Sequence, residues 1–256
     1  MGVVNLTPDS FSDGGEFATA TAALAHARQL IAEGADIIDL GGESTRPGAR
    51  SVALDDERRR VLPVLEQLAA GAVPVSVDTQ KPELMREAIA AGAAMINDIN
   101  ALQAPEAVAA VAASDVAVCL MHKQGTPAGM QVNPHYADVV AEVLAFLTDR
   151  MQAVRAAGVG SERIVVDPGF GFGKTLEHNL ALLRDLKRFG ATGAAVLAGI
   201  SRKAMLGNLT GREVHQRVFA SIAAAVIAVE KGARIVRVHD VAATRDALSV
   251  WQAVRN

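Results

Sequence analysis

The feature that most constrains this chain is a degenerate junction that recurs along it: Gly34-Ala35-Asp36-Ile37-Ile38-Asp39, Gly92-Ala93-Ala94-Met95-Ile96-Asn97 and Gly232-Ala233-Arg234-Ile235-Val236-Arg237. The glycine suits the left-handed residue that ends a helix. The apolar pair suits a buried strand, and the polar residue after it lies where that strand leaves the core. Each copy reads as a helix end, a crossing of the interior, and a side chain offered on the far side. Eight short apolar runs of this kind occur, at Val3-Val4, Ile37-Ile38, Val73 to Val77, Met95-Ile96, Val116 to Leu120, Ile164 to Val166, Ala194 to Leu197 and Ile235 to Val238. Between them lie segments rich in Ala, Leu, Glu and Arg at helical spacing, over residues 19–33, 54–70, 82–91, 105–113, 137–157, 176–189 and 213–231.

Eight strand-then-helix units predict an α/β protein of the TIM (β/α)8 barrel type, because an open doubly wound sheet usually has fewer strands and a clearer nucleotide fingerprint. The 256 residues match the size of one such barrel, roughly 250. No Pro/Gly/Ser-rich linker divides them, so residues 1–256 read as a single domain. Half of the residues are hydrophobic but only 4% are aromatic, which suits aliphatic parallel strands buried on both faces.

A net charge of −3 gives no long-range pull toward nucleic acid or an anionic membrane, so an anionic ligand has to be held by local groups. Cys119 lies in an apolar run, without a second cysteine to pair with. The opening residues lack a basic then apolar leader, and no stretch reaches ~18 uninterrupted apolar residues. A cytoplasmic protein that does not enter membranes is expected.

In barrels the reacting groups sit at the C-terminal ends of the strands. Those ends carry Asn5, Asp39, Asp78, Asn97 with Asp98, His122, Asp167, Ser201, and Arg237 with His239. Any one of them could merely cap the next helix, but a whole set converging on one rim points to a site. Two polar loops follow the first two strands, Asn5 to Gly15 and Gly41 to Gly48, and read as segments that close over it.

The run Asp167-Pro168-Gly169-Phe170-Gly171-Phe172-Gly173-Lys174-Thr175 resembles a nucleotide phosphate loop, but Pro168 stands where that loop needs its first glycine. Asp167 instead ends an apolar strand, and an ionised carboxylate there needs donors such as two parallel N–H groups of a ligand. Lys203 either pairs with it structurally or donates to the carbonyl of an amide-like heterocycle whose N–H groups Asp167 accepts. Arg237 and His239 alternate on one strand, so both can face one anion. The dipeptide His239-Asp240 alone is a weak metal-hydrolase signal. His26, His135, His178 and His215 read as surface residues, and Glu57 to Arg60 as a solvated helix face.

Taken together, the segments Met1 to Gly15, Asp39 to Gly48, Ser76 to Thr79, Asn97 to Ile99, Met121 to Pro127, Asp167 to Leu180, Ser201 to Lys203 and Arg237 to Val241 resemble the dihydropteroate synthases of folate biosynthesis. The resemblance implies a transferase that condenses a dihydropterin diphosphate with 4-aminobenzoate and is a target of sulfonamides. It implies that Asp78, Asn97, Asp167 and Lys203 read the pterin ring, with Asp78, Lys203 and Arg237 as the catalytic groups. By the same resemblance Asn5, Arg237 and His239 handle the diphosphate, Asn5 through a Mg²⁺ ion. Thr45, Arg46, Pro47, Phe172 and Ser201 form the aminobenzoate pocket, and the protein is a homodimer. The implied chemistry is dissociative, and the residues agree with it: they offer no nucleophile-base pair, but cations for a leaving group. Lys123 departs from the family pattern, in which an apolar residue is frequent.

Two other readings are weighed. A methyltetrahydrofolate-dependent corrinoid methyltransferase shares the barrel and the pterin-reading residues but has no use for a diphosphate grip. A non-catalytic pterin-binding scaffold would be expected to have lost Asp78, Lys203 or Arg237, and all three are present.

Overall fold

The apolar pairs form a ring of strands: β1 (Gly2–Asn5), β2 (Ile38–Gly41), β3 (Val75–Asp78), β4 (Met95–Asp98), β5 (Ala117–Met121), β6 (Ile164–Asp167), β7 (Ala195–Ala198) and β8 (Ile235–Val236). The computed structural model describes residues 1–7, 15–44, 48–49, 51–126 and 129–255, the side chains of 15–19 excepted. All neighbouring strands pair in parallel and in chain order. A bridge between Gly2 and Val238 joins the last strand to the first, with Val3 N–H donating to Val238 O at 3.1 Å and Val238 N–H to Met1 O at 2.9 Å. The barrel is closed.

The helices are α1 (Gly15–Ala32), α2 (Leu54–Ala69), α3 (Pro82–Ala90), α4 (Ala107–Ala112), α5 (Val139–Ala156), α6 (Leu176–Arg184), α7 (Lys187–Gly190), α8 (Ala204–Thr210), α9 (Val218–Glu230) and α10 (Val241–Arg255). The recurrent glycines cap them as the repeat predicts, with φ of +94° at Gly34, +97° at Gly92 and +99° at Gly232. At each copy the same two bonds close the helix. In the first, Gly34 N–H reaches Ile31 O at 3.0 Å and Ala35 N–H reaches Leu30 O at 2.9 Å, the double closure that a left-handed glycine permits.

The two-residue alternation of each strand sorts its side chains. Inward positions form one apolar layer of Met1, Met95, Cys119, Val165 and Leu197 across the lower barrel. Outward positions, Ile38, Leu40, Ile96 and Leu120 among them, are fully buried under the helices, each contributing ~1.5–3 kcal/mol of apolar burial. Above the inner apolar layer the inward positions turn polar, which places the site.

Three readings of the sequence need correction here. The predicted helix over 176–189 is broken between Arg184 and Lys187, and the one over 213–231 starts at Val218 behind a 3-10 turn at Val214–Gln216. Helices α8 and α10 fall outside the predicted stretches. Helix α8 is short and contains Gly207, and α10 buries only Val241 and Thr244, so neither carries a broad apolar stripe. The segment Glu57 to Arg60 is not a solvated face: Glu57 is fully buried and pairs with Lys81, Arg58 pairs with Glu87, and Arg60 donates to Gly42 O at 2.9 Å. A run of three acids before three arginines hid this, since the cation paired with Glu57 is Lys81, at the N-cap of α3.

Candidate active site

Inward positions of adjacent strands bring Asp39, Asp78, Asn97, Asp167 and Arg237 onto the floor of the rim, all of them buried or nearly so. Arg237, just past β8, reaches back across the floor. Its Nε donates to Asp39 Oδ2 at 2.6 Å and its Nη2 to Asp78 Oδ2 at 3.1 Å. Asn97 Nδ2 lies 3.5 Å from the same Asp39 oxygen, while Asp39 Oδ1 and the neighbouring Ser76 Oγ are buried with no partner among the described residues. His239 contacts Ser201: its backbone N–H donates to Ser201 Oγ at 3.2 Å, and its Nδ1 lies 3.0 Å from that hydroxyl. The Arg237 and His239 side chains, expected on one anion, therefore have separate partners in this state.

Burial pushes the Asp78 carboxyl up to about 8, against the pull of Arg237 and with the help of Asp39, Asp98 and Glu57. Asp78 thus holds its proton in the folded chain up to a higher pH than in the unfolded one. Between an unfolded value of 3.8 and a folded value of about 8, the folded state carries the extra proton, so stability falls as pH rises through that window and levels off above it. Asp98, raised to about 6, acts with the same sign. Thermal melting across the window should show a shallower decline for Asp78→Asn than for the parent, and identical slopes would contradict this.

On the opposite wall, Asp167 Oδ1 accepts from Gly169 N–H at 2.7 Å, and burial raises its carboxyl, opposed first by Lys203. Lys203 Nζ donates to Phe170 O and stands 4.7 Å above the Phe172 ring. Burial lowers this ammonium to about 8, although Asp167 and Asp78 favour its charge. Asp167 and Lys203 are thus electrostatic neighbours rather than a closed ion pair. Each keeps hydrogen-bonding capacity for a ligand.

Two strand ends leave the rim. Asp98 turns outward and accepts from Asn100 and Leu102 N–H, both at 2.7 Å, where Ala101 and Leu102 have φ of +51° and +55°; it is a turn cap. His122 also points outward, its ring edge-on to Phe146 at 4.9 Å between centroids. Lys123 reaches Gln80 Oε1 at 3.3 Å. Among the surface histidines expected from sequence, His26 and His178 are only half-exposed, and His178 closes a capping box with Thr175 at the start of α6.

Sequence reasoning missed Lys174, which was set aside with the failed phosphate-loop motif and proves to be 3% exposed. Thr45, Arg46, Pro47 and residues 8–14 of the first loop lie outside the described residues, so the closing loops and most of the aminobenzoate pocket are not placed. Phe172 and Ser201 are both buried beside the rim.

A Mg²⁺ ion takes oxygen ligands and keeps several waters. Asn5, half-buried at the end of β1, offers one neutral amide oxygen, and no group of three or more acids, histidines or cysteines among the described residues could hold a metal. This donor set fits an ion carried mainly by a ligand's phosphate oxygens. No described helix is long and apolar enough to cross a membrane.

With this geometry in view, comparison with known proteins is specific. Residues 1–239 match the pterin binding enzyme family. The dihydropteroate synthase of Neisseria meningitidis serogroup C is 52% identical over 259 residues, covering 99% of this chain and 92% of the relative. Among solved structures, the Xanthomonas albilineans dihydropteroate synthase with 4-aminobenzoic acid superposes with a TM-score of 0.95 at 56% identity, covering 100% of this chain and 92% of that one. The same enzyme in complex with 7,8-dihydropteroate gives 0.91 at 52% identity, with coverage of 100% and 92%. A barrel that matches these proteins over its whole length, with the carboxylates and the lysine of its rim at the positions singled out from sequence, belongs to the dihydropteroate synthase family of pterin-binding enzymes.

Proposed function

We propose that this chain joins (7,8-dihydropterin-6-yl)methyl diphosphate to 4-aminobenzoate, releasing pyrophosphate and forming 7,8-dihydropteroate for folate synthesis. The observation that carries this reading is the Asp167–Phe172–Lys203 wall: a buried acceptor, an aromatic face and a buried donor side by side. An aminopyrimidinone ring needs this set: its amino and imino hydrogens are donated to Asp167, and its carbonyl oxygen accepts a hydrogen bond from Lys203. Asn97 and Asp78 supply further polar edges from β4 and β3.

The reaction consistent with these groups is dissociative. The bond from the exocyclic carbon to the diphosphate oxygen breaks with its electron pair leaving on oxygen. The remaining cation is delocalised into the dihydropterin ring, the arylamine nitrogen attacks that carbon, and the amine then loses a proton. The Asp78 and Asp167 carboxyl groups lie beside the ring, and positive charge developing on it favours their ionised forms, which stabilise that charge as it grows; this is where electrostatic catalysis acts. Asp78 is best placed to answer it, because Arg237 can trade its contact with Asp78 for the departing diphosphate while Asp39 retains the other. Asn5 would help to hold a Mg²⁺ ion arriving with the diphosphate, and the chemistry such an ion would supply is neutralisation of leaving-group charge. His239 and Ser201 border the same side, and the segments containing residues 8–14 and 45–47 would exclude water from the cation.

The corrinoid methyltransferase reading has no use for the Arg237, His239 and Asn5 set and is not favoured. Mass spectrometry of a mixture of both substrates with Mg²⁺ tests the assignment; the expected result is a dihydropteroate-mass species that appears only when 4-aminobenzoate is present. Absence of that species, with pterin bound to the folded protein, would overturn it.

The protein is proposed to work in the cytoplasm as a homodimer. Phe219 on α9 and Val254 on α10 are each 81% exposed, with Leu209, Ile227 and Val250 nearby in chain order on α8 to α10. Apolar side chains gathered on consecutive helices favour a self-complementary contact. Sedimentation should give twice the chain mass, and a single-chain mass at micromolar concentration would contradict the dimer.

A further inference from the structure

The turn after β6 has an unusual construction. Gly169, Gly171 and Gly173 have φ of +70°, +80° and +63°, so alternate residues of the turn belong to the residue type that loses most conformational freedom on folding. Such a turn needs outside ties. Its five successive carbonyls each accept from a side chain: Gly169 O from Lys174, Phe170 O from Lys203, Gly171 O from Gln131, Phe172 O from Lys174 and Gly173 O from Tyr136. One residue supplies two of the five.

Lys174 is not paired with an acid. Its Nζ lies 2.9 Å from Gly169 O, 3.0 Å from Phe172 O, 3.0 Å from His122 Nδ1 and 3.4 Å from His122 O. All four partners are uncharged acceptors at ordinary pH, since burial and the adjacent ammonium hold His122 down to about 3. Burial lowers this ammonium to about 7, with Asp167 favouring its charge and Lys203 opposing it, so it is unlike an ordinary structural lysine on a surface. The turns after β5 and β6 lie too close to admit a side chain at two of the glycines: a Cβ on Gly169 would lie 1.8 Å from His122 O, and one on Gly173 2.5 Å from Gln124 O.

What hangs from this turn is the ring-binding wall. Gly169 N–H fixes the Asp167 carboxylate, Phe170 O fixes the Lys203 ammonium, and Phe172 supplies the aromatic face. We propose that Lys174 is a positioning residue for pterin recognition: its buried amino group ties the glycine-rich turn after β6 to the turn after β5 and so sets Asp167, Phe172 and Lys203 in one geometry. The inference rests on the proposed pterin site and adds to it a residue that never touches the substrate.

The test is steady-state kinetics and calorimetric binding of an unreactive pterin on the full chain, for the parent, Lys174→Met and Lys174→Gln. Met keeps the length and loses every donor; Gln keeps donors for the carbonyls. Loss of the two hydrogen bonds that Lys174 gives the turn should raise the KM for dihydropterin diphosphate and the pterin Kd of Lys174→Met by roughly 10-fold or more. Its kcat should change by less than about 3-fold, and Lys174→Gln should recover most of the loss. A purely structural role predicts the reverse: lower thermal stability and less active protein, with KM and Kd unchanged. That result would overturn the proposal. If Lys174→Met does not fold, Lys174→Gln decides alone, since a pterin Kd raised by about 3-fold supports the proposal and a parental Kd overturns it. A parent that binds no pterin would instead refute the underlying assignment of the site.

Discussion

Replacing Asp167 with Asn is expected to weaken binding of a dihydropterin by about 100-fold or more, with little loss of stability. The carboxylate now accepts from Gly169 N–H and faces the rim from full burial at the end of β6. A charged hydrogen bond is worth ~1.5–3 kcal/mol, and the substitution weakens two of them while presenting an N–H to a ligand N–H. Because the side chain keeps its size and burial alone already raises the acid's pKa, the folded protein should tolerate a neutral amide. Lys203→Ala should act in the same direction by roughly 10-fold, since it removes the donor for the ring carbonyl and the cation above Phe172. Calorimetry with an unreactive pterin, beside a thermal melt of each variant, measures both. Parental affinity for either variant would remove that residue from the site.

Arg237→Met should have the largest effect on stability, roughly 3–5 kcal/mol, because it strands buried acids rather than because it removes an attractive pair. Asp39 and Asp78 both direct an oxygen at this guanidinium, whose own pKa is raised by these acids despite its burial. Without it, Asp39 and Asp78 lose the cation that both contact in the buried floor. The Asp78 carboxyl, already up to about 8 against the pull of Arg237, rises further, so the variant's deficit is greatest at high pH and shrinks as pH falls through the raised value. Urea unfolding at about pH 5.5 and about pH 8.5 separates the explanations. A deficit larger at the higher pH supports a charge-stranding account, and a small, pH-independent one contradicts it.

How much of this was legible in the sequence follows from the physics of each residue. The three glycine-capped junctions announced the barrel because a left-handed cap and a buried strand are both local, and the structure repeats the same closing bonds at Gly34, Gly92 and Gly232. Asp167, Asp78 and Asn97 were legible for a related reason: a polar residue at the end of an apolar run has few places to go except a rim. The same rule erred at Asp98 and His122, which are one step out of phase with the inward positions and so serve the turn and the helix layer. Alternation could have excluded them.

Non-local partners were not legible. Nothing near Glu57 in the sequence announces Lys81, and nothing near Arg237 announces that Asp39, 198 residues earlier, takes its Nε. Lys174 escaped for a different reason. Its motif was tested against one function, nucleotide binding, and a buried lysine that satisfies backbone carbonyls leaves no signature in residue spacing.

The measurement that bears most directly on the account is pyrophosphate release from dihydropterin diphosphate and Mg²⁺, followed while 4-aminobenzoate is titrated in. The account predicts release that rises and saturates with 4-aminobenzoate and matches dihydropteroate formation mole for mole. Release that is indifferent to 4-aminobenzoate, or none at all from folded protein that binds the pterin, would contradict it.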